Sequence, residues 1–132
     1  MEQRLSLITL GVLDLARSRR FYEALGWQAS AASQPGITFI QLNGLALALF
    51  DRAALAEDIG IEDRPSGFSG ITLAYNVRSE AEADEVFHAA LAAGATAVKI
   101  PHATAWGGYS GYFADPDYHL WEVAWNPHLD LT

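Results

Sequence analysis

The sequence predicts an α+β domain made of two βαβββ repeats. Three observations carry that expectation: apolar runs of period two, two amphipathic helical runs each with a cap and a stop, and the return of the same strand–helix order in the second half. The chain is taken as one domain over 1–132. Repeat one spans about 5–50, a connector 51–69, and repeat two about 70–126.

The first run, Ile8-Thr-Leu-Gly-Val12, alternates as a strand. Asp14 then caps a helix whose face is Leu15, Phe21, Tyr22 and Leu25, and Gly26 ends it. Strands are expected over 27–32, 36–42 and 45–50. The connector is richer in charge, glycine and proline, with a short helix over 52–58. The second half opens with Ile71-Thr-Leu-Ala-Tyr-Asn-Val77. Ser79 and Glu82 form a capping box, Val86, Phe87, Ala90 and Leu91 make the apolar stripe, and Gly94 is the stop. Strands follow over 95–100, 108–114 and 119–125. Both halves contain Ile-Thr-Leu in their opening strand, at 8–10 and 71–73, which points to a duplication.

Composition narrows the function. Of 132 residues, 51% are apolar and 18% charged, which suits a folded soluble chain. A net charge of −8 with a single lysine excludes the clustered cations that nucleic acid needs and disfavours anionic membranes. The absence of cysteine rules out disulfides, thiolate metal sites and cysteine nucleophiles. No secretory apolar region opens the chain, and no run approaches the roughly 20 apolar residues of a membrane span, so a cytoplasmic location is expected.

The C-terminal hairpin holds the chemistry. Asp115-Pro116-Asp117 is turn chemistry, with aspartates bonding their own backbone. In Leu120-Trp121-Glu122-Val123-Ala124-Trp125, alternation puts Trp121, Val123 and Trp125 on a core face and Glu122 on the other. The aromatic–glycine segment 106–112 supplies rings for stacking and glycines for close approach, with Trp106 as a rim residue. His88, His102, His119 and His128 lack metal-ligand spacing.

These motifs, Val12-Leu-Asp-Leu15 with Arg17-Ser18 and Phe21-Tyr22-Glu-Ala-Leu-Gly26, and Gly111-Tyr-Phe-Ala-Asp-Pro-Asp117 through Leu120-Trp-Glu122, resemble the vicinal oxygen chelate superfamily over the whole chain. That superfamily includes glyoxalase I, bleomycin-resistance proteins and extradiol dioxygenases. The resemblance implies curled mixed sheets forming an open cup, and a homodimer. It places the four metal-ligand positions on Leu7, Ala48, Thr72 and Glu122. Tyr118 stands where the family has glycine; if that position needs positive φ, tyrosine costs about 1 kcal/mol or more there.

Only Glu122 of the four is an ordinary ligand, so no cofactor and no complete divalent metal site are expected. By alternation, Leu7, Thr9 and Gly11, then Ala46, Ala48 and Phe50, then Thr72, Ala74 and Asn76, line the cup. The ligand-binding candidates are Thr9, Ala48, Thr72, Asn76, Trp106 and Tyr109, with Glu122 catalytic. Thr9, Thr72, Trp106 or Tyr109 is expected to donate a hydrogen bond to Glu122. The function expected is recognition of a small organic molecule in an apolar cup. The alternative is a lyase, isomerase or dioxygenase-type enzyme using Glu122 as acid/base or as sole retained metal ligand.

Overall fold

The computed structural model describes residues 3–64, 67–129 and 131–132; residues 65 and 66 of the expected connector lie outside it. The chain divides into two compact units, Met1–Gly67 and Phe68–Thr132. The element order is β1 (Leu7–Val12), α1 (Leu15–Ala24), β2 (Ile37–Gln41), β3 (Ala46–Asp51), α2 (Arg52–Ile59), β4 (Leu73–Val77), α3 (Glu80–Ala93), β5 (Thr96–Ala103), β6 (Tyr109–Ala114) and β7 (Leu120–Trp125). The fold is α+β with two mixed sheets. No described helix is long and apolar enough to cross a membrane.

The first unit is a three-stranded sheet in the order β1-β3-β2, with β1 parallel and β2 antiparallel to β3. The second is four-stranded, β4-β7-β6-β5, with β4 parallel to β7 and the other pairs antiparallel. In each unit the strand before the long helix thus pairs in parallel with the last strand. The strand expected over 27–32 is the one that fails to form. Only the bridge Ala29↔Ile40 survives, on the β2 edge where β5 lies in the second sheet. The turn around Ser30 and Ser33 explains the loss: Ser33 Oγ accepts the Phe39 N–H at 2.9 Å, and Ala32 N–H donates to Ser30 Oγ at 3.2 Å. These hydroxyls take up backbone groups that a ladder would otherwise use.

Helix boundaries follow the cap chemistry. Asp14 accepts from Arg17 N–H at 2.9 Å, and Ser79 Oγ accepts from Glu82 N–H at 3.1 Å. Glu82 in turn accepts from Arg78 N–H at 2.7 Å, and Gly94 closes α3 with φ 112°. These caps also correct the alignment of the repeats. Asp14 stands where Ser79 stands, so Thr9 corresponds to Ala74 and Leu7 to Thr72. Strand register agrees, since Thr9 faces Ala48 and Ala74 faces Glu122. The two Ile-Thr-Leu tripeptides are out of step by two residues, and Ile71 and Thr72 fall before β4.

The core of the first unit lies on the α1 side of its sheet. Val12, Phe21, Tyr22, Leu47 and Leu49 are buried, and the Tyr22 ring stacks on Trp27 at 5.6 Å. In the second unit Phe87 and Ala83 of α3 meet β6 and β7, where Phe113 stacks on Trp121 at 6.4 Å and Val123 is fully buried. Trp121 and Val123 therefore face the helix, as alternation requires, and Glu122 lies on the opposite face.

Candidate functional site

Glu122 reaches its place through the β6–β7 hairpin. The turn is held by Asp115, which is buried and accepts at Oδ1 from the N–H groups of Asp117 and His119, each at 2.9 Å. Its Oδ2 lies 2.8 Å from His119 Nδ1. This is the turn chemistry that Asp-Pro-Asp predicts, carried by the first aspartate. The hairpin tip has the one non-glycine residue of positive φ among the described residues, Tyr118 at 66°, so the backbone takes the left-handed form that glycine prefers.

The turn sets the register, and the register sets the site. Tyr112 lies directly opposite Glu122, Ala74 flanks Glu122 on β4, and Lys99 is paired with Tyr112 on β5. Tyr112 OH donates to Glu122 Oε1 at 3.0 Å. Burial first, then the hydrogen bond and charge of Glu122, raise the Tyr112 pKa above its ordinary value. One step along the same face lie Asn76, Ala124 and Ser110 in one cross-strand row. The floor around the half-buried carboxylate is thus mostly alanine with a few polar points, Tyr112, Asn76 and Ser110, and with Lys99 beyond Tyr112 on the edge strand.

The structure relocates several expected site residues. Tyr109 does not share the Glu122 face. It pairs with Trp125, and its OH donates to Asp84 of α3 at 3.0 Å, on the helix side. Burial and then Asp84 raise its pKa. The donor to Glu122 is Tyr112, and not one of Thr9, Thr72, Trp106 or Tyr109. The signal was present: a hairpin centred on Asp117 pairs residues that sum symmetrically about it, which puts 112 opposite 122. Ala48 is fully buried, flanked in register by Thr9 and Phe39, and offers no surface to a ligand. Thr9 is half-buried beside it, and Thr72 is exposed ahead of β4. Asn76 lies on the Glu122 face.

Trp106 lies in the β5–β6 loop, where Thr104 N–H donates to Gly108 O at 2.9 Å. Its ring rests against Gly108, where a Cβ would stand 1.8 Å from Cζ3. Close approach requires glycine at that position. The residue as a whole remains 46% exposed.

Of the four positions that the resemblance implies, Leu7 and Ala48 have no ligating side-chain atom, Thr72 has a hydroxyl, and Glu122 has a carboxylate whose Oε1 accepts from Tyr112 OH. Among the described residues, no three His, Asp or Glu side chains gather.

The family model described as Glyoxalase/Bleomycin resistance protein/Dioxygenase superfamily matches residues 4–123. The fold is similar to a glyoxalase-related enzyme from Fulvimarina pelagi, with 40% identity over 99% of this chain and 94% of that one and a TM-score of 0.89. It is similar to a glyoxalase/bleomycin resistance protein/dioxygenase from Nocardioides, with 25% identity over 100% and 89% and a TM-score of 0.79. It also shares its fold with a lactoylglutathione lyase from Agrobacterium tumefaciens, with 20% identity over 95% of each chain and a TM-score of 0.68. A comparison with curated proteins finds no match.

Proposed function

The chain belongs to the glyoxalase/bleomycin resistance protein/dioxygenase superfamily, and from that premise we propose that it binds a small, partly apolar organic molecule over the Glu122 face, without a catalytic metal. The observation that carries this reading is a half-buried carboxylate set in a floor of Ala74, Ala114 and Ala124, with one oxygen held by Tyr112. The other oxygen has no hydrogen-bond partner among the described residues, and a ligand that brings a hydrogen-bond donor can meet it there. Small side chains leave room for the ligand's apolar part, and Trp106 offers a ring at the sheet end.

The test is a fragment screen by ligand-observed NMR on wild type and Glu122→Gln, with native mass spectrometry of protein purified from cell extract. Hits that wild type binds and Glu122→Gln loses support the site. Hits indifferent to the substitution would remove Glu122 from it. Elemental analysis bears on the metal: about one Zn, Fe, Mn or Ni per chain, resistant to mild chelation, would overturn the metal-free reading.

A second reading, lyase or isomerase chemistry with Glu122 as base, is supported by the 40%-identical neighbour being a glyoxalase-related enzyme. Turnover by wild type that Glu122→Gln abolishes would favour it over binding alone. The same proposal takes the chain as a homodimer in the cytoplasm. Exposed apolar Val98 and Ile100 on the β5 edge support a partner surface, and light scattering near 14.3 kDa would refute the dimer.

A further inference from the structure

The ladder of the second sheet sorts its polar side chains into two cross-strand rows on the Glu122 face. One row runs Ala74, Glu122, Tyr112 and Lys99, and the next runs Asn76, Ala124, Ser110 and His102. Residues directly opposite one another in a sheet share a face, so both rows end in a basic side chain on the β5 edge. Strict alternation would forbid this, because residues 99 and 102 lie three apart while their partners lie two apart. The register shift between Lys99 and His102 absorbs the odd residue. Pro101 takes the opposite face: it is buried against Gly111, where a Cβ would stand 2.7 Å from its Cγ, whereas Lys99 and His102 are exposed. Lys99 is the single lysine of a chain with net charge −8, and it makes no ion pair with a described residue. His102 Nδ1 lies 3.1 Å from Ile100 O. A carbonyl only accepts, so Nδ1 donates and Nε2 is the nitrogen left for a ligand.

We infer that Lys99 and His102 form an anion-binding rim to the Glu122 site, and that the ligand is amphoteric: a small molecule with an ammonium or other donor for Glu122, a carboxylate for the rim and an apolar spacer between. The strand order sets the spacer. Glu122 and Lys99 lie two strands apart, about 10 Å at the backbone, and a benzene ring with short arms suits that gap. The inference rests on the proposal that the ligand meets Glu122, and it names what stands at the ligand's other end.

Three probes separate the two ends: 4-(aminomethyl)benzoate carries both groups, benzylamine lacks the acid and benzoate lacks the amine. Their affinities are measured by NMR titration at about pH 6, within the range where histidine takes up charge. The proteins are wild type, Lys99→Gln, Lys99→Gln with His102→Gln, and Glu122→Gln. Wild type should bind 4-(aminomethyl)benzoate about fivefold more tightly than benzylamine, the scale of an ion pair at an exposed rim. Lys99→Gln should take most of that ratio away and the double variant the rest. A merely structural role for these side chains would weaken both probes alike and leave the ratio standing. An unchanged ratio in the double variant, with Glu122-dependent binding intact, overturns this inference alone. Benzoate binding as tightly as 4-(aminomethyl)benzoate would also overturn it, since a surface cation then attracts any acid. Failure of both amine probes to bind in a Glu122-dependent way removes the proposed site and the inference with it. Should a variant fold poorly, the wild-type His102 imidazole resonances decide. They should move with 4-(aminomethyl)benzoate more than with benzylamine at equal occupancy, and equal shifts would overturn the rim.

Discussion

Tyr112 donates to Glu122 from a half-buried position, and burial first, then the carboxylate, raises its pKa above the ordinary 10.0. A raised folded-state value means that the native state holds this proton longer than the unfolded chain. The contribution to stability is therefore complete below about pH 10 and is lost as pH rises through the folded value. Urea unfolding followed from about pH 8 to about 11 should show wild type losing stability with alkali, and Tyr112→Phe losing less. Equal alkaline losses would show that the phenol is not held. At Tyr118 the cost is backbone strain: φ is 66° and the side chain is exposed, so little packing offsets it. Tyr118→Gly should stabilise by up to about 1 kcal/mol in thermal unfolding. The family resemblance made this position legible, since it marks where glycine is usual.

At the scale of the element, β7 is a ribbon with two jobs, and paired substitutions read them separately. Trp121 is buried and stacked on Phe113, so Trp121→Ala should cost roughly 3–5 kcal/mol. Glu122→Gln on the other face should change stability little by comparison. The reverse ranking would show the faces to be exchanged. Period-two alternation was enough to assign these faces, because Trp, Val and Trp cannot all face water. It was not enough for Tyr109. The glycine-rich run 107–111 gives no apolar alternation, and only the hairpin centre shows that 112, and not 109, meets Glu122. On the neighbouring strand pair, Gly111→Ala should destabilise by about 1–3 kcal/mol or more, since its Cβ would meet the Pro101 backbone rather than a yielding side chain. A stable Gly111→Ala variant with unchanged unfolding would show that β5 lies farther from β6.

The two units share a strand–helix opening and a parallel pairing of first with last strand, with three strands in one and four in the other, and the sequence announces this mainly through caps: Asp14 and Ser79 mark equivalent helix starts. The more visible tripeptide, Ile-Thr-Leu, misaligns the halves, because a strand's local composition is set by burial and repeats easily by chance. Residues 27–32 misled for a related reason: Ser30 and Ser33 bond nearby backbone and end the ladder at one bridge. The candidate site was partly legible. Glu122 and Asn76 stood out by alternation, whereas the burial of Ala48 depends on a cross-strand neighbour, Phe39, that local sequence does not name.

The contact between Gly111 and Pro101 has a meaning beyond packing. A β-ladder has no intrinsic index: each rung resembles the next, and a slip of one residue would set Gly111 or Phe113 against Glu122 and turn every side chain to the wrong face. The notch at Gly111 works as an address mark, because residues bearing a Cβ do not fit against Pro101 in its place. The position of the Glu122 carboxylate is thereby tied to a glycine on the neighbouring strand.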